Sequence, residues 1–214
     1  MARLLKPSAG AVLLDGHSIH HRSSRDVAQT LGLPLQNPAA PEGLTVVDLV
    51  GRGRHPHHGP LRRWSTADDV AVARALELTD TLELAHRPVD ELSGGQRQRV
   101  WHAMALAQET DLLLLDEPTT YLDVAHQVEV LDLLIDLNTA RRATVVMVLH
   151  DLNLAGRYAH HLVALRSGKV VAAGPPCDIV TPALVRDVLG LDARVIDDPV
   201  SHTPLVVPVG RHHR

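Results

Sequence analysis

The strongest constraint on the fold comes from two uninterrupted apolar runs, at residues 112–115 and 144–149, each followed at once by polar residues. Between them, Val128, Leu131 and Ile135 recur at the spacing of one helix face. Strands that are apolar without alternation are typical of parallel sheets, because helices cover both faces of such a sheet. The pattern therefore predicts an α/β fold in which both runs are parallel strands buried on both faces.

Composition indicates a globular protein and excludes several other classes. Of 214 residues, 45% are hydrophobic and 21% are charged, so there is enough apolar surface to fold. The net charge of −4 and the scarcity of aromatic residues, two Trp, two Tyr and no Phe, argue against a nucleic-acid partner. No apolar run approaches the roughly 20 residues of a membrane span, and residues 1–7 do not form a secretion signal. The single cysteine suits a reducing compartment, and we expect a cytosolic protein.

Residues with a preference for helix caps predict three helix starts. Ser65 followed by Asp68 has the pattern of a capping box. Ser93 precedes a second helical pattern, and Asp151 can cap another helix directly after the second apolar run.

Turn residues predict the remaining elements. Residues 10–14 are interpreted as a strand, and residues 162–165 and 170–173 as a closing hairpin. Residues 37–59 are rich in Pro, Gly, His and Arg, which predicts an irregular surface segment.

Two motifs carry chemistry. Asp116 and Glu117 follow the first apolar run, at the edge where ligands bind in open α/β sheets, so one carboxylate can hold a metal while the other orients water. Ser93, Gly94 and Gly95 open a helix whose unpaired N–H groups attract phosphate oxygens. The alternatives are a pair of solvated acids and an ordinary capped helix start.

Together these motifs resemble the ATP-binding subunit of ABC transporters, and the resemblance extends in order along almost the whole chain. The matching positions are the Q-loop glutamine Gln36, the signature residues Ser93, Gly94, Gly95 and Gln96, the Walker B residues 112–117, the D-loop residues Tyr121, Leu122 and Asp123, and the switch histidine His150. Residues 51–57 and 118–127 most resemble importers of ferric siderophores, haem or cobalamin, and a siderophore is the first choice of cargo.

The resemblance implies a P-loop NTPase-type parallel sheet with an inserted helical subdomain and small β-hairpin elements. It implies one ABC ATPase domain over residues 1–214, partial at its N-terminus. The nucleotide-binding core is expected at residues 1–37 and 110–190, the helical subdomain at about residues 38–109, and a C-terminal tail at residues 191–214.

The phosphate-binding Walker A motif, Gly-x-x-x-x-Gly-Lys-Ser/Thr, does not occur in these residues. Of the two lysines, Lys6 follows a leucine, and Lys169 follows a glycine but precedes Val170. We expect the motif and its strand to lie upstream of Met1, because of a late start codon or a truncated gene. A degenerate subunit that lends only its signature motif to a partner is the alternative.

The resemblance also implies a role for each site residue. Asp116 would hold Mg²⁺, largely through water, and Gln36 would sense that ion and relay closure to the membrane subunit. Glu117 would be the general base, and His150 would contact the γ-phosphate of ATP. Ser93, Gly94, Gly95 and Gln96 would bind nucleotide across a dimer interface that Asp123 lines.

The implied partners are a second ATPase subunit, in a homodimer or a mixed pair, and transmembrane permease subunits on the cytoplasmic face of the membrane. A substrate-binding protein would be an indirect partner. Residues 36–58 are the expected permease contact, with Arg52, Arg54, His55, His57 and His58 as a basic surface rather than a metal site. The rival functions are a non-hydrolysing partner subunit and a soluble ATPase of DNA repair or translation.

Overall fold

A computed structural model describes residues 5–33, 43–58, 63–120 and 122–210. The chain divides into two compact units, Met1–Val148 and Leu149–Arg214. The domain bounds expected from the family, with a core at residues 1–37 and 110–190 and a helical subdomain at about 38–109, stay a prediction. No helix in the described ranges is long and apolar enough to cross a membrane.

The first unit is built on a parallel sheet, as the apolar runs predict. Its strands are β1 (Leu13–Leu14), β2 (His17–Ser18), β3 (Leu31–Gly32), β4 (Leu112–Asp116) and β5 (Thr144–Val148). Strands β3, β4 and β5 form the parallel sheet in that order, with Leu113 opposite Val145, and β1 and β2 form a short hairpin. The strand predicted at residues 10–14 is therefore confirmed only over its last two residues.

Burial differs between the two apolar runs. The side chains of Leu113, Leu114 and Leu115 in β4 are buried, as predicted. In β5, by contrast, Val146 and Val148 are 41% and 50% exposed, so the prediction of a strand buried on both faces is wrong for this strand. The exposed residues alternate along β5, at positions 144, 146 and 148, so the described residues leave one face of this edge strand uncovered.

The helices of the first unit begin at good cap residues. They are α1 (Ser24–Thr30), α2 (Val46–Gly51), α3 (Thr66–Leu78), α4 (Gly94–Ala107) and α5 (Val124–Arg141), with 3₁₀ helices at Ile19–His21, Arg52–His57, Leu82–Leu84 and Val89–Glu91. The capping boxes at Ser65 and Ser93 are both present, which confirms the two predicted helix starts.

The segment predicted to be irregular, residues 37–59, is helical over much of its described part. Thr45 caps α2 by accepting a hydrogen bond from the backbone N–H of Asp48, and the helix buries Val46, Leu49 and Val50. Their i, i+3, i+4 spacing is that of one helix face, although the surrounding Pro, Gly and His residues conceal it. Helix α2 packs on α3 and α4, where Val72, Leu76 and Val100 complete the core of this helical layer.

The second unit consists of α6 (Leu152–Tyr158), β6 (Leu162–Arg166), β7 (Lys169–Gly174), α7 (Pro176–Ile179), α8 (Pro182–Leu189), β8 (Ala193–Asp197) and β9 (Pro204–Pro208). Asp151 caps α6, and β6 and β7 form the predicted hairpin. The stretch predicted as a C-terminal tail contains a second hairpin, β8 with β9. Val206 of β9 packs with Val180 and Val185, which gives this hairpin a small apolar core.

Candidate functional site

The two adjacent carboxylates lie where strand β4 ends. Asp116 is the last residue of β4 and is exposed, whereas Glu117 is half-buried and has a left-handed backbone with φ of 48°. The Glu117 N–H donates to the Val148 carbonyl oxygen at 3.2 Å, and the Glu117 carbonyl oxygen accepts from the Thr120 N–H at 3.1 Å. The two carboxylates therefore differ in exposure and in backbone conformation, so they can serve different functions.

The segment that follows, residues 117–120, is named here the Glu117 loop. Within it, the Thr120 hydroxyl donates to Oε2 of Glu117 at 2.9 Å, which orients the carboxylate. Gln98 of α4 donates from Nε2 to the Pro118 carbonyl oxygen at 2.7 Å, and Gln127 of α5 donates to the Thr119 carbonyl oxygen at 3.2 Å. The loop is therefore held by its own threonine and by both flanking helices.

Helix α4 begins with an exposed backbone. Ser93 Oγ accepts from the Gln96 N–H at 3.3 Å, and Gln96 Oε1 accepts from the Ser93 N–H at 3.1 Å. A Cβ atom added at Gly94 or Gly95 would meet no atom within 4 Å. Packing within the described residues therefore does not require these glycines. The capping box occupies the N–H groups of Ser93 and Gln96, and it leaves those of Gly94 and Gly95 for an anionic ligand.

Asp123 caps α5. Its Oδ1 accepts a hydrogen bond from the backbone N–H of His126 at 3.0 Å and lies 2.7 Å from Nδ1 of the same residue. The backbone hydrogen bond is the largest cause that lowers the pKa of Asp123 below its usual range, and the contact with the His126 ring lowers it further. Asp123 is therefore anionic at neutral pH and exposed on the surface of the first unit.

The other predicted site residues fall elsewhere. His150 belongs to the second unit, where it is exposed and directly precedes the α6 cap Asp151. Gln36 and Tyr121 lie outside the described residues. The structure thus brings Asp116, Glu117 and the signature helix together through the Glu117 loop, and the roles predicted for the individual residues stay predictions.

The basic surface predicted at residues 52–58 is wrong in part. Arg54 is buried, and its guanidinium donates to Asp68 Oδ1 at 3.0 Å, to the Ala107 carbonyl oxygen at 2.7 Å and to Glu109 Oε2 at 3.0 Å. His58 lies 3.1 Å from the other oxygen of Asp68. Only Arg52 and His55 of this cluster are exposed.

This buried cluster is anionic at its centre. Burial raises the pKa of Asp68, but hydrogen bonds from Ser65 and Arg54 and the close contact with His58 outweigh burial and hold that pKa far below its usual range. Among the described residues, no group of three or more His, Cys, Asp or Glu side chains is arranged to hold a metal ion.

Sequence reasoning did not single out Gln98, Thr120 or Gln127. Gln98 stands in the polar stretch after the signature and Thr120 stands two residues after Pro118, but their partners depend on the fold. The sequence shows only that these three polar residues lie near the starts of two helices and after the end of a buried strand.

Comparison with known proteins decides the family. A sequence profile described as ABC transporter matches residues 1–120, more than half of the chain. The chain belongs to the ABC transporter family. It is a member of the ABC-type ATPases, which bind ATP, form dimers and pair with permease subunits in transporters.

Relatives place this ABC transporter chain among the ATP-binding proteins of siderophore, haem and cobalamin importers. The achromobactin transport ATP-binding protein CbrD of Dickeya dadantii is 56% identical over 98% of this chain and 78% of its own length. The ferric enterobactin transport ATP-binding protein FepC of Escherichia coli is 53% identical over 99% of this chain and 78% of its own length. An inward-facing structure of a metal-chelate type ABC transporter has 31% identity and a TM-score of 0.77, covering 86% of this chain and 73% of its own.

Proposed function

We propose that this chain is the ATP-hydrolysing subunit of an importer that takes up ferric siderophores across the cytoplasmic membrane. The observation that carries the proposal is the pair Asp116 and Glu117 at the carboxyl end of β4, tied through Gln98 to a signature helix with an open start. The printed functions of the relatives from Dickeya dadantii and Escherichia coli, achromobactin and ferric enterobactin transport, support the choice of cargo.

In the proposed reaction, Glu117 acts as the general base toward the water that attacks the terminal phosphate. The Thr120 hydroxyl fixes one carboxylate oxygen of Glu117. The water's proton passes to Glu117 while the bond from the terminal phosphorus to ADP breaks and ADP leaves. Asp116 and Gln36 would hold Mg²⁺, which would offset the negative charge of the phosphates.

The remaining site residues act on phosphate. His150 contacts the γ-phosphate, while Ser93, Gly94, Gly95 and Gln96 offer the N–H groups and side chains of the α4 start to nucleotide held by a second ATPase subunit. Asp123 lines the interface between these subunits, in a homodimer or a mixed pair.

The proposed location is peripheral, on the cytoplasmic face of the membrane, with permease subunits as direct partners and a substrate-binding protein as an indirect one. Residues 36–58 are the proposed permease contact. In the described part of that segment, Arg52 and His55 are the exposed basic residues, because Arg54 is buried.

A polypeptide of these 214 residues would bind nucleotide weakly. Lys169 begins strand β7 after a tight turn at Ser167 and Gly168, both with positive φ, so Gly168-Lys169 belongs to a hairpin rather than to a phosphate-binding loop. Without such a loop and its strand, the loss of only two charge-assisted hydrogen bonds costs about 3–6 kcal/mol. That cost corresponds to roughly two to four decades of affinity.

The open start of α4 also supports a second candidate, a non-hydrolysing subunit that lends Ser93, Gly94 and Gly95 to a catalytic partner. The two candidates differ in what restores activity. ATP binding and hydrolysis are measured for the 214-residue polypeptide and for a version extended at its amino end by a phosphate-binding loop and strand.

Hydrolysis gained only on extension supports the ATPase. If the extended version binds ATP without hydrolysing it, and the 214-residue chain instead stimulates a paired ATPase, the non-hydrolysing candidate is correct. Uptake of radiolabelled ferric siderophore by cells that express the assembled transporter tests the cargo, and uptake of haem or cobalamin alone would contradict it.

A further inference from the structure

Two glutamine side chains hold consecutive backbone carbonyls in the Glu117 loop. Gln98, in the second turn of α4, binds the carbonyl of Pro118, and Gln127, in the first turn of α5, binds the carbonyl of Thr119. Gln127 also donates to the Leu122 carbonyl oxygen at 3.2 Å, beyond the loop. Two separate helices, α4 and α5, therefore make hydrogen bonds to the backbone that directly follows the proposed base.

This backbone needs external support. A left-handed conformation is unfavourable for a residue with a side chain, and φ at Glu117 is 48°. Pro118 is buried, and a buried carbonyl without a hydrogen-bond partner is strongly disfavoured. The side-chain amide of Gln98 satisfies the Pro118 carbonyl. The side-chain amide of Gln127 adds a second hydrogen bond to the Thr119 carbonyl, which also accepts from the Leu122 N–H at 3.3 Å.

The two helices also carry other parts of the site. Helix α4 starts after Ser93, and α5 is capped by Asp123. Because Gln98 lies one turn into α4 and Gln127 one turn into α5, the Glu117 loop is linked over short distances to both helix starts.

We propose that Gln98 and Gln127 are positioning residues that set the direction of the Glu117 carboxylate relative to the starts of α4 and α5. They touch no reacting atom and act through the Glu117 loop. The proposal rests on the assignment of Glu117 as the general base.

The first test uses amide hydrogen exchange of the 214-residue polypeptide, which requires no ATPase activity. Gln98→Met and Gln127→Met keep the side-chain length and remove the donor. Each variant is expected to speed exchange at the Glu117 and Thr120 amides about five-fold, the equivalent of one ordinary hydrogen bond. Unchanged exchange at both amides would overturn the proposal.

Gln108→Met is the matched control. Gln108 follows the other end of α4 and donates from Nε2 to the Ala28 carbonyl oxygen at 2.5 Å. The control substitution therefore removes the same kind of hydrogen bond, but at the far end of the helix. It should leave exchange in the Glu117 loop unchanged. Equal acceleration in the control would show that any loss of side-chain packing loosens the loop, and would contradict a specific role for Gln98 and Gln127.

Rescue distinguishes the hydrogen bond from packing. Gln98→Lys restores a donor of similar reach and should bring exchange back toward that of the parent, whereas exchange as fast as in Gln98→Met would contradict the proposal. In the ATPase form extended by a phosphate-binding loop, Gln98→Met should lower kcat about five-fold and leave KM for ATP unchanged. A rise in KM with unchanged kcat would overturn the positioning role.

The two proposals fail in different ways. If no form hydrolyses ATP, the proposed function fails, while exchange in the Glu117 loop still decides whether the glutamines hold it. If hydrolysis is normal in Gln98→Met and Gln127→Met, the ATPase stands and the positioning role is wrong.

Discussion

His102 of helix α4 should make the stability of the first unit depend on pH. Its ring atom Nδ1 is buried and has no hydrogen-bond partner among the described residues. Burial therefore disfavours the charged ring and lowers the pKa of His102 from about 6.5 to about 4. The folded state keeps this ring neutral at pH values where the unfolded chain takes up a proton.

The sign and size of the effect follow from linkage between protonation and folding. Because the folded pKa is the lower one, the stability contribution is complete above about pH 6.5 and is lost as the pH falls toward 4. Between pH 8 and pH 5 the loss is roughly 2 kcal/mol of unfolding free energy.

Urea denaturation, followed by the fluorescence of the neighbouring buried Trp101, measures this loss in the parent and in His102→Leu. The difference in unfolding free energy between the two proteins should change by about 2 kcal/mol between pH 8 and pH 5. The matched control is His86→Leu, at an exposed histidine, and its unfolding free energy should change with pH as that of the parent does. If the unfolding free energy of His102→Leu also changes with pH as that of the parent does, the reasoning is refuted.

Two further substitutions test packing in the helical layer of the first unit. Arg54→Met leaves a fully buried carboxylate without its cation and should cost about 3–5 kcal/mol in urea denaturation, whereas Arg87→Met, in an exposed pair, should cost under about 1 kcal/mol. Gly53→Ala would place a Cβ atom 2.2 Å from the backbone oxygen of Met104 and should cost at least about 1–3 kcal/mol. Gly94→Ala meets open space and should change thermal stability little, so equal losses at the two glycines would contradict the packing seen here.

Local patterns predicted the elements whose cause is local. The apolar run before Asp116 predicted β4, and the cap residues Ser65, Ser93 and Asp151 predicted the helices that they begin. In each case the signal is complete within a few residues, because capping and strand apolarity depend on neighbours in sequence.

Burial was predicted less well, since it depends on what the fold places nearby. The second apolar run is a strand, but the described residues leave one of its faces uncovered, which a continuous apolar run does not reveal. Arginine is usually a surface residue, so the sequence predicts that Arg54 is exposed. In the fold, its guanidinium is buried against Asp68, fourteen residues further on, and against the end of α4.

The support of the candidate site was equally hidden from sequence. Gln98 reaches a carbonyl twenty residues away, and Gln127 reaches one eight residues away across a turn. A glutamine at a helix start is usually an exposed residue, so only the folded backbone reveals these bonds.

The most direct measurement compares ATP turnover by the assembled transporter with Glu117→Gln and with Glu129→Gln, an exposed glutamate on α5. The chain used carries a phosphate-binding loop at its amino end. Removal of the carboxylate at Glu117 should abolish turnover and leave ATP binding in place, while the variant at position 129 should hydrolyse ATP like the parent. Undiminished turnover by Glu117→Gln would contradict the assignment of this carboxylate as the base.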